Sequence, residues 1–143
     1  MFTGEYLHSI DLKNRLIIPS KMREELGATF FVTKGSNHCL FGFPAAAFDE
    51  LCESLRHNAL NDPASQKLLR VLFTGAVECE LDKQGRILLP QNLRAYAGLD
   101  RDVYVVGVNT RIEIWSKEAW EQFITDASDD FDTVFSQAEP LRV

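Results

Sequence analysis

Two short segments carry the side chains best suited to chemistry. Asp11 and Arg15 recur as Asp82 and Arg86, each a carboxylate four residues ahead of an arginine, and a lysine stands between them in both, Lys13 and Lys83. Asn14 stands in the first segment where Gly85 stands in the second, and these residue types accept positive φ most readily. An Asp followed by such a residue reads as a tight hairpin turn. Asp11 and Asp82 have two readings. They cap the turn's backbone N–H groups and pair with the arginines, or they belong to a working surface. For the arginines the functional reading is the stronger, because a turn tip does not ordinarily need two cations. A two-stranded ribbon tipped with Lys and Arg fits a DNA major groove and sets a bidentate guanidinium against guanine edges or phosphate oxygens. Arg15 and Arg86 are the candidate base readers, and Lys13 and Lys83 the candidate phosphate contacts. Arg23 and Arg94 sit one helical turn after a proline and either hold the turn from behind or reach a phosphate. Lys21 has no counterpart, since Asn92 takes its place, and is a further candidate phosphate contact.

Other chemistry finds little support. His8, His38 and His57 stand at unrelated spacings, and Cys39, Cys52 and Cys79 form an odd set without a CxxC pair, so neither zinc nor a disulfide framework is expected. No Ser/His/Asp set, phosphate-cradling glycine loop or cofactor motif can be assembled. Phe48, Trp115 and Trp120 follow core periodicity and read as packing.

The elements that must hold the two turns come from an internal duplication. Residues 4–27 match residues 75–98 at an offset of 71, with six of 24 positions identical, and the match resumes one residue out of step. Each copy reads as an extended stretch (5–10, 76–81), the turn, and a short strand (16–18, 87–89) ended by Pro19 or Pro90. A short helix (20–26, 91–97) follows, stopped at Gly27 or Gly98. Two strands come next, near 30–34 and 39–43, then 103–108 and 111–115. Amphipathic helices over 45–57 and 117–127 close the copies. The divisions expected are a first repeat at 1–58, a connecting helix within 59–74, a second repeat at 75–127 and an acidic tail at 128–143, either loose or a short docked helix. Neither copy is large enough to bury a core alone, so the two are expected to pack about a pseudo-twofold.

Composition bounds the rest. The 143 residues are 45% apolar and 25% charged, ordinary for a globular chain, with a net charge of −6. Taken whole, that charge argues against nucleic acid. Residues 1–112 are nevertheless neutral, with 13 basic and 13 acidic side chains, and the whole excess lies in residues 113–143, with 2 and 8. As an expectation, this acidic end faces away from DNA or limits non-specific binding. No apolar run approaches a membrane span and no secretory leader opens the chain, so a reduced, cytoplasmic protein is expected.

The doubled motif, with its Met-Phe-x-Gly opening, Asp-x-Lys-x-Arg-x-x-x-Pro-x-x-x-Arg and then Asp-x-x-Gly-Arg-x-x-x-Pro-x-x-Leu-Arg, resembles the MraZ transcriptional regulators of bacteria up to about residue 125. The resemblance implies an α+β fold, mainly β: two fused swapped-hairpin modules of the AbrB/MazE type forming a pseudo-dimeric β-barrel with flanking helices. It implies ring-shaped homo-oligomers, nucleoid association, and repression of the family's own division and cell-wall gene cluster. Binding would be to double-stranded DNA at direct repeats upstream. The DNA-contacting elements map onto Lys13, Arg15, Lys83 and Arg86. Asn14 departs from the glycine usual there, and Gln84 stands where turn one has Lys13, so the tips need not read the same bases. The rival readings are a protein-interaction module, antitoxin-like or a division-complex scaffold, and an enzyme, for which no catalytic set is visible.

Overall fold

A computed structural model describes residues 1–138. The first repeat runs β1 (Glu5–Ser9), β2 (Arg15–Ile17), α1 (Ser20–Leu26), β3 (Thr29–Lys34), β4 (Leu40–Pro44) and α2 (Ala45–Ala59). Helix α3 (Pro63–Gly75) leads into β5 (Val77–Glu80), β6 (Arg86–Leu88), α4 (Gln91–Tyr96), β7 (Asp102–Val108), β8 (Arg111–Ser116) and α5 (Lys117–Asp129), and α6 (Phe131–Gln137) follows. Pro19 and Pro90 sit at the N-caps of α1 and α4, where the ring forbids a further ladder bond and presets the helical entry. Asp62 caps α3 through Ala64 N–H, with Pro63 in the first helical turn, and the Ser116 hydroxyl caps α5 through Ala119 N–H.

The strands show how the repeats depend on each other. Six form one antiparallel sheet in the order β1-β7-β8-β4-β3-β5, and β2 and β6 form a separate ribbon. Strand β1 of the first repeat pairs with β7 of the second, and β5 of the second pairs with β3 of the first. The order therefore reads the same from either end once equivalent strands are exchanged. Phe41 lies opposite its equivalent Glu113, and Leu16 opposite its equivalent Ile87, so the pseudo-twofold passes through both places. This is the tandem swapped-hairpin arrangement the family resemblance implied. Two details of that expectation change. The sheet stays open, with β1 and β5 as edges, so no closed barrel forms. Helical residues outnumber strand residues, so the chain is α+β without being mainly β. The one-residue slip between the copies is the sum of two changes. Leu99 and Asp100 are inserted before β7, and the β7–β8 hairpin is one residue shorter between equivalent pairs, Val103 with Ser116 against Phe30 with Pro44.

The core lies between sheet, ribbon, α1 and α4. Leu16, Ile18, Met22 and Phe30 of one repeat meet Ile87, Leu89, Leu93 and Val103 of the other, all buried. Equivalent core positions differ in volume: Leu26 corresponds to Ala97, Phe30 to Val103, and Gly42 to Ile114. A Cβ at Gly42 would come within 2.6 Å of Ile112 Cγ1, so this glycine leaves the room that the isoleucine fills.

Leu16 is fully buried at the pseudo-twofold. Leu16→Ala should cost about 2–5 kcal/mol of unfolding free energy by denaturant titration, with both repeats melting in one transition. Separate transitions for the two halves would contradict a shared core.

Candidate nucleic-acid interface

Both turns are built by the same hydrogen bonds. In turn one Asp11 Oδ1 accepts from the backbone N–H of Lys13 and Arg15, both at 2.9 Å, and Oδ2 accepts from Arg15 Nε at 2.8 Å. In turn two Asp82 Oδ1 accepts from Gln84 and Arg86 N–H at 2.9 Å, and Oδ2 from Arg86 Nε at 2.9 Å. Asn14 (φ 63°) and Gly85 (φ 76°) take the left-handed position in each. The capping reading of Asp11 and Asp82 therefore describes their geometry. Both carboxyls are held below the ordinary carboxylate value of 3.8, chiefly because the Arg15 and Arg86 backbone N–H groups donate to the charged form.

The ribbon joins the turns. Alternation sends Leu16, Ile18, Ile87 and Leu89 into the core. Arg15 lies opposite Leu88 and Ile17 opposite Arg86, so arginines and aliphatic residues alternate in a checkerboard on the outer face. Ile17 and Leu88 are exposed there, and Leu12 at the tip of turn one is fully so, at 103%. Because each aspartate takes its arginine by Nε, the guanidinium is fixed while its Nη edge stays available. Among the described residues the Nη groups of Arg15 have no protein partner, whereas Arg86 Nη1 also lies 3.8 Å from Asp11 Oδ2. Arg86 thus spans the carboxylates of both turns. Lys13 and Lys83 are exposed at the tips, and Lys21 is exposed on α1.

The helix arginines are tied down. Arg23 Nε donates to Ile18 O at 2.8 Å and Arg94 Nε to Leu89 O at 2.9 Å, each holding the end of its own ribbon strand. The Arg23 guanidinium also covers turn two: a Cβ at Gly85 would fall 2.1 Å from Arg23 Cζ. Beside turn one the inserted Leu99 and Asp100 open a hollow of about 600 Å³ that Asp11, Asn14, Arg94 and Arg101 also line. Arg101, directly after the insertion, borders turn one as well. It is exposed, and its carbonyl accepts from Ile10 N–H at 2.7 Å, at the base of turn one. Only the insertion before it signalled that this flank differs.

Groups suited to other chemistry are spent on packing. Cys39 and Cys79 are buried and their thiols pushed up to about 12, which suppresses the thiolate. His8 is half-buried in β1, its pKa lowered by burial and then by the Arg23 charge. Glu113, buried in β8, accepts from Trp115 Nε1 at 2.9 Å and pairs with Arg111 at 2.8 Å. Among the described residues no group of His, Cys, Asp and Glu could hold a metal ion, and no helix is long and apolar enough to cross a membrane.

The comparisons with known proteins fit this duplicated architecture. The family model described as "MraZ protein, putative antitoxin-like" matches twice, over residues 1–71 and 72–139. The chain is 51% identical over 134 residues, 94% of each chain, to the transcriptional regulator MraZ of Moorella thermoacetica. It is 53% identical over 129 residues, 90% of each, to that of Desulfitobacterium hafniense. With the regulator of Caldicellulosiruptor bescii it shares 46% identity over 143 residues, the full length of both.

Two outcomes follow from the turn geometry. A carboxyl whose pKa is depressed on folding adds stability that is complete above its unfolded value and lost as pH falls through the folded one. Stability of the native protein should therefore fall from about pH 4 downward, and the Asp11→Asn/Asp82→Asn double variant should show a flatter acid limb in urea titrations. Gly85→Ala should lose at least about 1 kcal/mol, through strain at positive φ and displacement of Arg23, whereas Asn14→Gly should be tolerated. Equal melting of the two variants would refute the asymmetry.

Proposed function

The chain belongs to the MraZ family of transcriptional regulators, and from that premise we propose that it binds double-stranded DNA with the outer face of the β2–β6 ribbon and its two turns. The observation that carries this reading is the Arg15/Arg86 checkerboard. Two guanidinium groups are oriented by carboxylates, flanked by exposed aliphatic residues and bordered by lysines. An arginine fixed through Nε has little rotamer freedom left to lose, and its remaining edge matches the paired acceptors of guanine or a phosphate. Ile17, Leu88 and Leu12 offer apolar contact of the kind a thymine methyl takes.

Roles divide by geometry. Arg15, paired with one carboxylate, reads a base; Arg86, shared between Asp82 and Asp11, reads less freely. Lys13, Lys83 and Lys21 supply phosphate contacts. Arg23 positions turn two from above Gly85 and, in this reading, gives its terminal nitrogens to a phosphate. The first repeat, 1–58, and the second, 75–127, each contribute one tip, joined by the connecting segment 59–74. Because one chain offers few contacts, operator affinity comes from several copies engaging successive direct repeats as a ring oligomer. In this reading the protein works in the cytoplasm on the nucleoid as repressor of its own division and cell-wall gene cluster.

The test is gel retardation of the protein's own upstream DNA across a salt series. Retardation should weaken steeply with salt. Arg15→Ala should lose operator discrimination by about 1–3 kcal/mol per engaged copy with a nearly unchanged melting curve, and Arg86→Ala should lose less. Lys13→Ala should weaken all sequences alike and reduce the salt slope by about 1. A salt slope near zero, with a protein partner co-purifying instead, would favour an interaction module.

A further inference from the structure

The two turns share their hydrogen bonds, yet their flanks are built differently. At turn two the Arg23 guanidinium lies over Gly85, in space that a Cβ at that position would claim. Arg94 is the equivalent of Arg23 and is tied in the same way, its Nε donating to Leu89 O at 2.9 Å. Leu89 N–H in turn donates to Asn14 O at 3.0 Å, just as Ile18 N–H donates to Gly85 O at 2.9 Å. Arg94 therefore faces Asn14 as Arg23 faces Gly85. Asn14 has the same left-handed backbone, φ 63° against 76°, and also the Cβ that Gly85 lacks. The place over the turn that Arg23 takes is closed to Arg94, which is set aside from the turn.

The base of each turn differs as well. Leu81 N–H donates to Ala28 O at 2.9 Å, and at the equivalent point Ile10 N–H donates to Arg101 O at 2.7 Å. A cation stands at the base of turn one where turn two has a methyl group. The main chain makes this contact, so the exposed Arg101 side chain takes no part in it. Between the two arginines and turn one lies the hollow of about 600 Å³. Its floor is apolar, formed by the buried Ile10 and Leu99. Among the described residues neither the Arg101 guanidinium nor the Nη groups of Arg94 have a protein partner. Of the two carboxylates in the lining, Asp11 is spent on the N–H groups of turn one and on Arg15. Asp100 is left as the one opposing charge.

Two guanidinium groups with free edges about one hollow suit an oxyanion that offers several acceptors. A ribbon seated in a groove about 12 Å wide brings the flanks of its tips against the strands that bound it, and the oxyanion there is a backbone phosphodiester. We propose that the hollow beside turn one receives one phosphate of the bound DNA, held by Arg101 and by the terminal nitrogens of Arg94. Turn two, with Arg23 folded over it and Ala28 beside it, offers a single guanidinium at the equivalent place. The inference rests on the DNA reading above and adds to it a site that Asn14 and the inserted residues create.

The experiment is gel retardation of the protein's own upstream DNA over a salt series, joined to phosphate-ethylation interference. It uses the full chain and variants that keep the wild-type circular dichroism and melting curve. Arg101→Ala retains the main-chain bond to Ile10, and it should lower the salt slope by about 0.9 per engaged copy and remove one ethylation-sensitive phosphate. Arg101→Lys should restore both. Asn14→Gly removes no charge, yet it lets Arg94 lie over turn one as Arg23 lies over turn two, and it should likewise lower the slope. Asp100→Asn, which removes the opposing charge, should bind about two- to fivefold more tightly. Arg56→Ala takes the same charge from α2 and should keep the wild-type slope. A wild-type slope or an unchanged ethylation pattern in Arg101→Ala would overturn the proposal. So would a wild-type slope in Asn14→Gly, weaker binding by Asp100→Asn, or an equal loss in Arg56→Ala. Wild type without salt-dependent retardation would sink the DNA reading and this site with it. Wild type that binds while Arg101→Ala matches it would sink the site alone, so the two failures are told apart.

Discussion

Each repeat leaves its first strand without a partner of its own, and the whole architecture follows from that unmet backbone pairing. β1 finds its ladder on β7 and β5 finds its ladder on β3, so the edges of the six-stranded sheet are exchanged between the two halves. A buried N–H or C=O without a partner is costly, and a two-stranded hairpin is marginal alone. The exchange resolves both problems at once. It also brings the second strand of each repeat to the pseudo-twofold, where β2 and β6 form a ladder with each other and Leu16 adds a single bridge to Ile10. The ribbon is thus a consequence of the swap, and its outward face exists because its inward face, Leu16 and Ile87 with Ile18 and Leu89, completes the core. The proposed DNA-binding face and the core are two sides of one pair of strands.

Much of this was legible in the sequence because the signals are local. Proline ends a strand and opens a helix wherever it stands, and Asn14 and Gly85 mark the left-handed turn position by residue type alone. A duplicated motif then implies two equivalent units and an axis between them. Features that depend on partners distant in the chain were not legible. Nothing in residues 5–9 says that they pair with residues 102–106 and not with their own repeat. Nothing near Arg86 announces the 3.8 Å approach to Asp11, which halves the equivalence of the two tips. The stripe Leu68, Leu69, Leu72 and Phe73 reads as a helix face, yet only Leu72 is buried. Periodicity identifies which side of a helix is apolar without saying how much of it the chain itself will cover. The acidic excess in the last 31 residues reads as belonging to the last helix as well as the tail, and α5 does carry half of those acids, packed against β7 and β8.

The charge distribution becomes intelligible once the faces are separated. The ribbon face holds four cations and two carboxylates, and the carboxylates are consumed in fixing the turns. Net charge summed over the chain hides this, because the field felt by a ligand is set by what lies within about a Debye length of it. The protein can be acidic overall and still present a locally cationic edge.

Joining the repeats in one chain has a consequence that a dimer of identical chains could not share. In such a dimer every substitution happens twice, across the axis from itself, so a larger core residue meets its own enlarged copy. Here the two sides vary separately. Leu26 on one side can correspond to a small Ala97 on the other, a Gly42 can make room for a neighbouring isoleucine, and Leu12 can occupy one tip while Lys83 occupies the other. The inserted Leu99 and Asp100 widen one flank alone. The molecule therefore has a front and a back along the ribbon axis, and whatever lies along that axis is met by two ends that differ in shape and charge. An object with a direction can be told from its reverse by such a surface, whereas a perfectly twofold surface would accept both.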